Sequence, residues 1–141
     1  MITWEEFFVI PGDPGTKERP RRGAHGFYTP HKTKTYENYV ANCYKRQSGY
    51  NFGKEFLSVE ICAFFKIPKS YRKAQLEAIS AGKYFPPRKD LDNICKAVCD
   101  ALNGVAYKDD SQIIDCHLKK LYAVGVDASP RVEVKINSIG R

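Results

Sequence analysis

The residues best suited to chemistry lie in two short acidic runs, Asp90-Leu91-Asp92-Asn93-Ile94-Cys95-Lys96 and Tyr107-Lys108-Asp109-Asp110-Ser111. In an extended segment, residues two apart point to the same side, so Asp90 and Asp92 are expected to project together. Asp92 or Asn93 would then cap a helix, with Lys96 about one turn further along the same side. Carboxylates at a helix N-terminus in a basic neighbourhood suit a hard cation such as Mg²⁺. A helix over 93–103 is about 16 Å long, and the stretch from Gly104 to Asp110 reaches about 23 Å when extended. The chain can therefore bring Asp110 back to the helix start. Three aspartates and a lysine within a turn of one another are the equipment of metal-assisted phosphodiester hydrolysis. The carboxylates hold the cation, the cation activates water, and the ammonium opposes the charge of the developing phosphorane.

Each of these residues also has a plainer use. Asp92 can serve only as an N-cap, and Asp109 and Asp110 only as turn residues ahead of a strand. Lys96 can simply snorkel from a helix face. Spacing alone leaves both readings open.

The elements that must position these groups are legible from periodicity. Phe7 to Ile10 reads as a short strand stopped by Pro11-Gly12, and 11–30, rich in Gly, Pro and basic residues, as a long loop. Tyr36, Tyr39, Val40, Cys43 and Tyr44 recur at helical spacing over 35–47. Over 56–67, Leu57, Val59, Ile61, Ala63, Phe65 and Ile67 share one face of a long strand ended by Pro68. Ser70 is expected to cap a helix through Ser80, with Gly82 as its stop, and Pro86-Pro87 to hold the chain extended into Arg88-Lys89-Asp90. The helix over 93–103 would bury Ile94, Val98, Ala101 and Leu102 and end at a left-handed Gly104. The stretches 112–122 and 131–136 both alternate as strands, the second with Val132, Val134 and Ile136 inward. The order β-α-β-α-α-β-β implies an α/β (α+β) domain, a small mixed or antiparallel sheet with helices mainly on one face.

Composition bounds the function. The 141 residues are expected to form one domain, 1–141, and the 43% hydrophobic content argues for a packed core. No apolar run is long enough for a membrane span, and the start lacks the pattern of a secretory signal, so a soluble cytoplasmic domain with reduced cysteines is expected. Neither GxGxxG nor Walker A occurs, so no nucleotide cofactor is expected. The chain carries 23 Lys+Arg against 16 Asp+Glu, a net +7. Lys17, Arg19, Arg21, Arg22, Lys32, Lys34, Lys45 and Arg46 are interleaved with Phe27, Tyr28, Tyr36 and Tyr39, and Arg88-Lys89 precede the acidic run. Such a stripe suits a polyanion with bases to stack, although a solvated basic face has the same composition. Cys95 and Cys99 sit four apart, but no CxxC or paired His completes a zinc set.

The run Arg88-Lys89-Asp90-Leu91-Asp92-Asn93-Ile94-Cys95-Lys96-Ala97-Val98-Cys99-Asp100-Ala101-Leu102, followed by Asp109-Asp110-Ser111-Gln112-Ile113, resembles the RusA family of Holliday junction resolvases. The close match covers 87–115. More loosely, Lys17-Glu18-Arg19-Pro20-Arg21 and Tyr28-Thr29-Pro30 resemble the basic entry loop of phage-type members. The resemblance implies a small, dimeric, Mg²⁺-dependent endonuclease of bacterial or phage origin, with Mn²⁺ as a substitute ion and four-way or branched DNA as substrate. It places the catalytic and metal-holding aspartates at Asp90, Asp92 and Asp110 and the catalytic lysine at Lys96, with Asp109 in reserve and Asp100 structural. Lys17, Arg19, Arg21, Arg22, Arg88 and Lys89 are the candidate DNA phosphate contacts. Two alternatives are a nuclease for flaps or other branched DNA, and a non-catalytic basic DNA-binding module.

Overall fold

A computed structural model describes residues 4–17, 21–28 and 31–140, with backbone alone for Arg21 and Tyr28. Arg19 and the side chain of Arg21, both candidate DNA contacts, therefore lie outside the described residues. Two long alternating segments build the centre of a four-stranded sheet: β4 (Phe56–Phe65) and β6 (Arg131–Gly140) pair antiparallel. Their inward residues Leu57, Val59, Ile61, Ala63, Val132, Val134 and Ile136 are all buried, which is the period of two that the sequence displays. β1 (Trp4–Pro11) and β5 (Ile113–Tyr122) complete the sheet in the order β1-β6-β4-β5. β4 and β5 run parallel, so the chain between them must cross over, and it does so through α2 (Lys73–Ser80) and α3 (Leu91–Leu102).

α1 (His31–Gln47) and α3 cover one face. Val40, Cys43 and Tyr44 of α1 join Ile94, Val98 and Leu102 of α3 in one cluster with the inward strand residues. The Tyr44 ring meets Phe8 edge-on at 5.0 Å. Phe7, Glu60, Cys62, Lys119, Glu133 and Lys135 line the opposite face, where Phe7 is 52% exposed. The α+β architecture, mixed sheet and one-sided helices agree with the sequence reading.

Five local expectations need correction. The stretch read as one loop contains a hairpin, β2 (Arg21–Gly23) and β3 (Gly26–Tyr28), turned through Ala24-His25 with Gly26 at φ +106°. Ala24 and His25 keep negative φ, so the reversal is completed by a left-handed residue just after them, which glycine supplies. α2 begins at Lys73, with Arg72 rather than Ser70 at its cap; the Arg72 N–H donates to Gln75 Oε1 at 2.9 Å. α3 begins at Leu91, so Asp90, and neither Asp92 nor Asn93, is its N-cap residue. Lys89 breaks the extended run after Pro86-Pro87, as its backbone is left-handed at φ +64°. Finally, the two strands over 112–122 and 131–136 are expected to offer edge surface for pairing with a partner, but β6 lies between β1 and β4 and presents no free edge.

Candidate active site

Lys89 is the only non-glycine with positive φ among the described residues. Such backbone costs of order 1–3 kcal/mol and persists only where surroundings hold it. Here both ends of the residue are held. Its Nζ donates to the Pro14 carbonyl, and its own carbonyl accepts from Lys120 Nζ at 3.2 Å. The sharp turn sets Asp90 at the entrance of α3, where its carbonyl accepts from Ile94 N at 3.1 Å. Its carboxylate makes no capping bond and is exposed, as is that of Asp92 in the first turn. Because the helix starts between them, the extended-segment argument for their shared direction does not hold.

Along α3, Asp92, Lys96 and Asp100 follow at i, i+4 and i+8, a single stripe down the helix. Lys96 Nζ lies 3.7 Å from Asp100 Oδ2, with the lysine side chain 61% exposed. Lys17 approaches the same carboxylate at 3.4 Å and Glu37 at 3.0 Å. Burial is the largest single effect on the Lys17 ammonium and lowers its pKa. The combined attraction of Glu37 and Asp100 outweighs it and leaves the pKa raised. The segment reaches α3 through its backbone too: Lys17 N donates to the Asn93 carbonyl at 3.1 Å.

Asp110 is positioned by the turn after α3. Gly104, at φ +74°, reverses the chain, and Tyr107, 1% exposed, donates its hydroxyl to the Cys99 carbonyl at 2.7 Å. The next residues form a 3₁₀ turn, Asp110–Gln112. Gln112 staples this turn to the approach to β4, donating to the Gly53 and Glu55 carbonyls at 2.9 and 2.8 Å. Asp109 caps the turn by accepting from Ser111 N at 3.0 Å, and hydrogen bonding from Ser111 holds its carboxyl below the usual range. The carboxyl of Asp110 meets Asp100. Burial first, then the hydrogen bond with Asp100 and the charges of Asp109 and Asp100, push its pKa up, while Lys96 pulls it down.

The structure thus brings together Lys96, Asp100, Asp110 and Lys17. Among the described residues, no three carboxylate, imidazole or thiol groups converge to enclose a metal ion. The chemistry of the donors nonetheless fits a hard divalent cation. All are carboxylate oxygens, and the Asp100–Asp110 pair holds excess negative charge that such an ion relieves. Sequence reasoning took Asp100 as structural and passed over Glu37. The i,i+4 spacing of Lys96 and Asp100 was a usable signal, whereas nothing local points to Glu37.

The candidate DNA contacts divide similarly. Arg22 and Arg88 are exposed. The ammonium groups of Lys17 and Lys89 are engaged within the fold, by two carboxylates and by the Pro14 carbonyl. Beside Lys89 opens a cleft of about 610 Å³ lined by His31, Lys32, Tyr36, Tyr39 and Lys89. Gly15 is required at its wall, since a Cβ there would fall 2.5 Å from the Tyr36 ring.

The site is therefore an acidic helix edge countered by lysines, with a basic and aromatic cleft beside Lys89. The family model Endodeoxyribonuclease RusA matches residues 11–137, and the chain belongs to the RusA endodeoxyribonuclease family. It is similar to "Uncharacterized protein YqaN" of Bacillus subtilis (strain 168), 33% identical over 139 residues that span 94% of this chain and 95% of that protein. Membership implies endodeoxyribonuclease activity; the family acts on branched DNA, and its nucleases are generally dependent on divalent metal. No helix among the described residues is long and apolar enough to cross a membrane.

Proposed function

We propose that this chain is a Holliday junction resolvase, a single domain that hydrolyses phosphodiesters symmetrically at four-way DNA junctions in recombination and repair. The observation that carries the reading is the meeting of the two matched motifs along one edge of α3, where Lys96 and Asp100 from the first face Asp110 from the second. Asp90, Asp92 and Asp110 would hold a divalent cation, Mg²⁺ with Mn²⁺ as substitute. Such a cation, when bound, supplies an activated water and neutralises charge on the phosphorane. Lys96 offers its exposed ammonium to the scissile phosphate, with Asp100 fixing the reach of its side chain. Asp110 serves as a carboxylate donor, and its proximity to Lys96 favours the ionised form. Arg22, Arg88 and the cleft beside Lys89 carry the backbone of the flanking DNA.

A four-way junction has two-fold symmetry, and resolution takes two nicks in opposing strands. One acidic edge provides one nick, so a homodimer with two-fold symmetry is the functional unit. The test is incubation of labelled four-way junction and matched linear duplex with and without Mg²⁺. Paired symmetric nicks in the junction, dependent on the metal, are expected. Equal cutting of linear duplex, nicks in one strand only, or no cutting at any protein concentration would refute the reading.

A further inference from the structure

Three of the five cysteines meet where α3 packs on β5. Cys95 Sγ lies 3.7 Å from Cys116 Sγ and 3.8 Å from Cys99 Sγ. Cys116 is exposed on the edge strand, Cys95 is half-buried on the helix, and Cys99 is buried. The other two stand elsewhere, Cys43 within the core beneath α1 and Cys62 on the open face of the sheet. We propose that Cys95 and Cys116 form a peroxide-responsive thiol pair that closes to a disulfide joining α3 to β5.

The choice between the two neighbours of Cys95 follows from geometry. Side chains at i and i+4 of a helix hold their Cβ atoms about 5–6 Å apart, whereas a disulfide needs about 3.5–4.5 Å. A Cys95–Cys99 bond would therefore deform the helix. Cys116 belongs to a different element with solvent on one side, so its sulfur can approach to about 2.05 Å without unwinding α3. The roles within the pair follow from the proton. Hydrogen bonds from the Cys116 and Cys99 thiols, with Lys96 adjoining, pull the Cys95 pKa far down, while Cys116 and Cys99 are pushed up chiefly by the same contacts. Cys95 is the thiolate and nucleophile, and Cys116 is the resolving thiol.

The chemistry balances with hydrogen peroxide as oxidant. The Cys95 thiolate attacks one peroxide oxygen; an S–O bond forms, the O–O bond breaks and hydroxide leaves, giving a sulfenic acid. Cys116 then attacks the Cys95 sulfur. The S–S bond forms, the S–O bond breaks, and the departing hydroxide takes the Cys116 proton as water. A dithiol reverses the bond. Lys96 follows Cys95 directly, so the bond would pin the helical turn that carries the proposed catalytic lysine.

The site is tested without DNA, so its failure is distinguishable from failure of the nuclease reading. The reduced full-length protein is treated with hydrogen peroxide, quenched with iodoacetamide and mapped by peptide mass spectrometry. One intramolecular disulfide between Cys95 and Cys116 is expected, with Cys43 and Cys62 oxidised at least tenfold more slowly. The bond should persist in Cys99→Ser. In Cys116→Ser, a change at an exposed position, Cys95 should accumulate as a sulfenic acid trapped by dimedone. A Cys95–Cys99 bond, a bond between two chains, oxidation spread evenly over all five cysteines, no bond, or no dimedone adduct at Cys95 in Cys116→Ser would each overturn the proposal.

Discussion

Replacing Asp110 with Asn is expected to stabilise the metal-free protein while ending cleavage. Asp110 is half-buried, and its carboxyl meets that of Asp100. Burial, the shared hydrogen bond and neighbouring negative charge raise its pKa above 3.8, and Lys96 offsets only part of that. A carboxyl with a raised pKa in the folded state binds its proton more tightly folded than unfolded, so ionising it costs stability. The cost is absent well below pH 3.8. It grows as pH rises through the unfolded pKa and is complete once pH is above the folded pKa. The amide removes the charge, keeps the shape and donates a hydrogen bond to the Asp100 carboxylate. A fully buried bond to a charged group contributes about 1.5–3 kcal/mol, and solvent access to this site reduces the gain to about 1 kcal/mol. For a chain of this length that raises the unfolding temperature by about 4 °C. Thermal unfolding followed by circular dichroism in chelator, at pH 7 and pH 3, measures the effect, and junction cleavage in Mg²⁺ measures activity. The variant should unfold about 4 °C higher at pH 7 and no higher at pH 3. An unfolding temperature at pH 7 equal to or below that of the parent would refute the acid pair, and full cleavage would remove Asp110 from the metal site.

Lys96→Ala should lower the single-turnover cleavage rate about a hundredfold or more while junction affinity changes little, because its charge counts most as the phosphorane forms; an unchanged rate would place the lysine outside the reaction. Asp90→Asn and Asp92→Asn should each abolish cleavage, with junction binding retained in a gel-shift assay, since an amide keeps the shape but lacks the charge a hard cation needs. Tyr107→Phe should cost about 1–2 kcal/mol in urea unfolding, because it strands the buried Cys99 carbonyl that the hydroxyl now satisfies at 2.7 Å.

Periodicity made the scaffold legible. Alternation in β4 and β6 and the apolar stripe of Ile94, Val98 and Leu102 each record burial on one face of a regular element, and burial leaves its period in the residues themselves. The acidic motifs were legible for a related reason, since residue type and spacing along one helix place Asp92, Lys96 and Asp100 in a stripe whatever surrounds them. The start of α3 was misread by a few residues because a left-handed Lys89, held through Pro14 and Lys120, turns the chain where Pro86-Pro87 suggested extension. The hairpin in the basic stretch escaped because its strands are too short to show a period.

What tertiary structure alone decided was where Asp110 comes to rest. Chain length permitted a return to the start of α3, but Tyr107 bonded to Cys99 and Gln112 bonded to Gly53 and Glu55 hold the turn beside Asp100. The same holds for Lys17 and Lys89, whose sequence context reads as basic surface and whose ammonium groups are claimed by Glu37, Asp100 and the Pro14 carbonyl. Most of these partners lie far along the chain from the residues they hold, and such bonds leave no local pattern in the sequence, because their geometry exists only once the sheet has brought distant segments together.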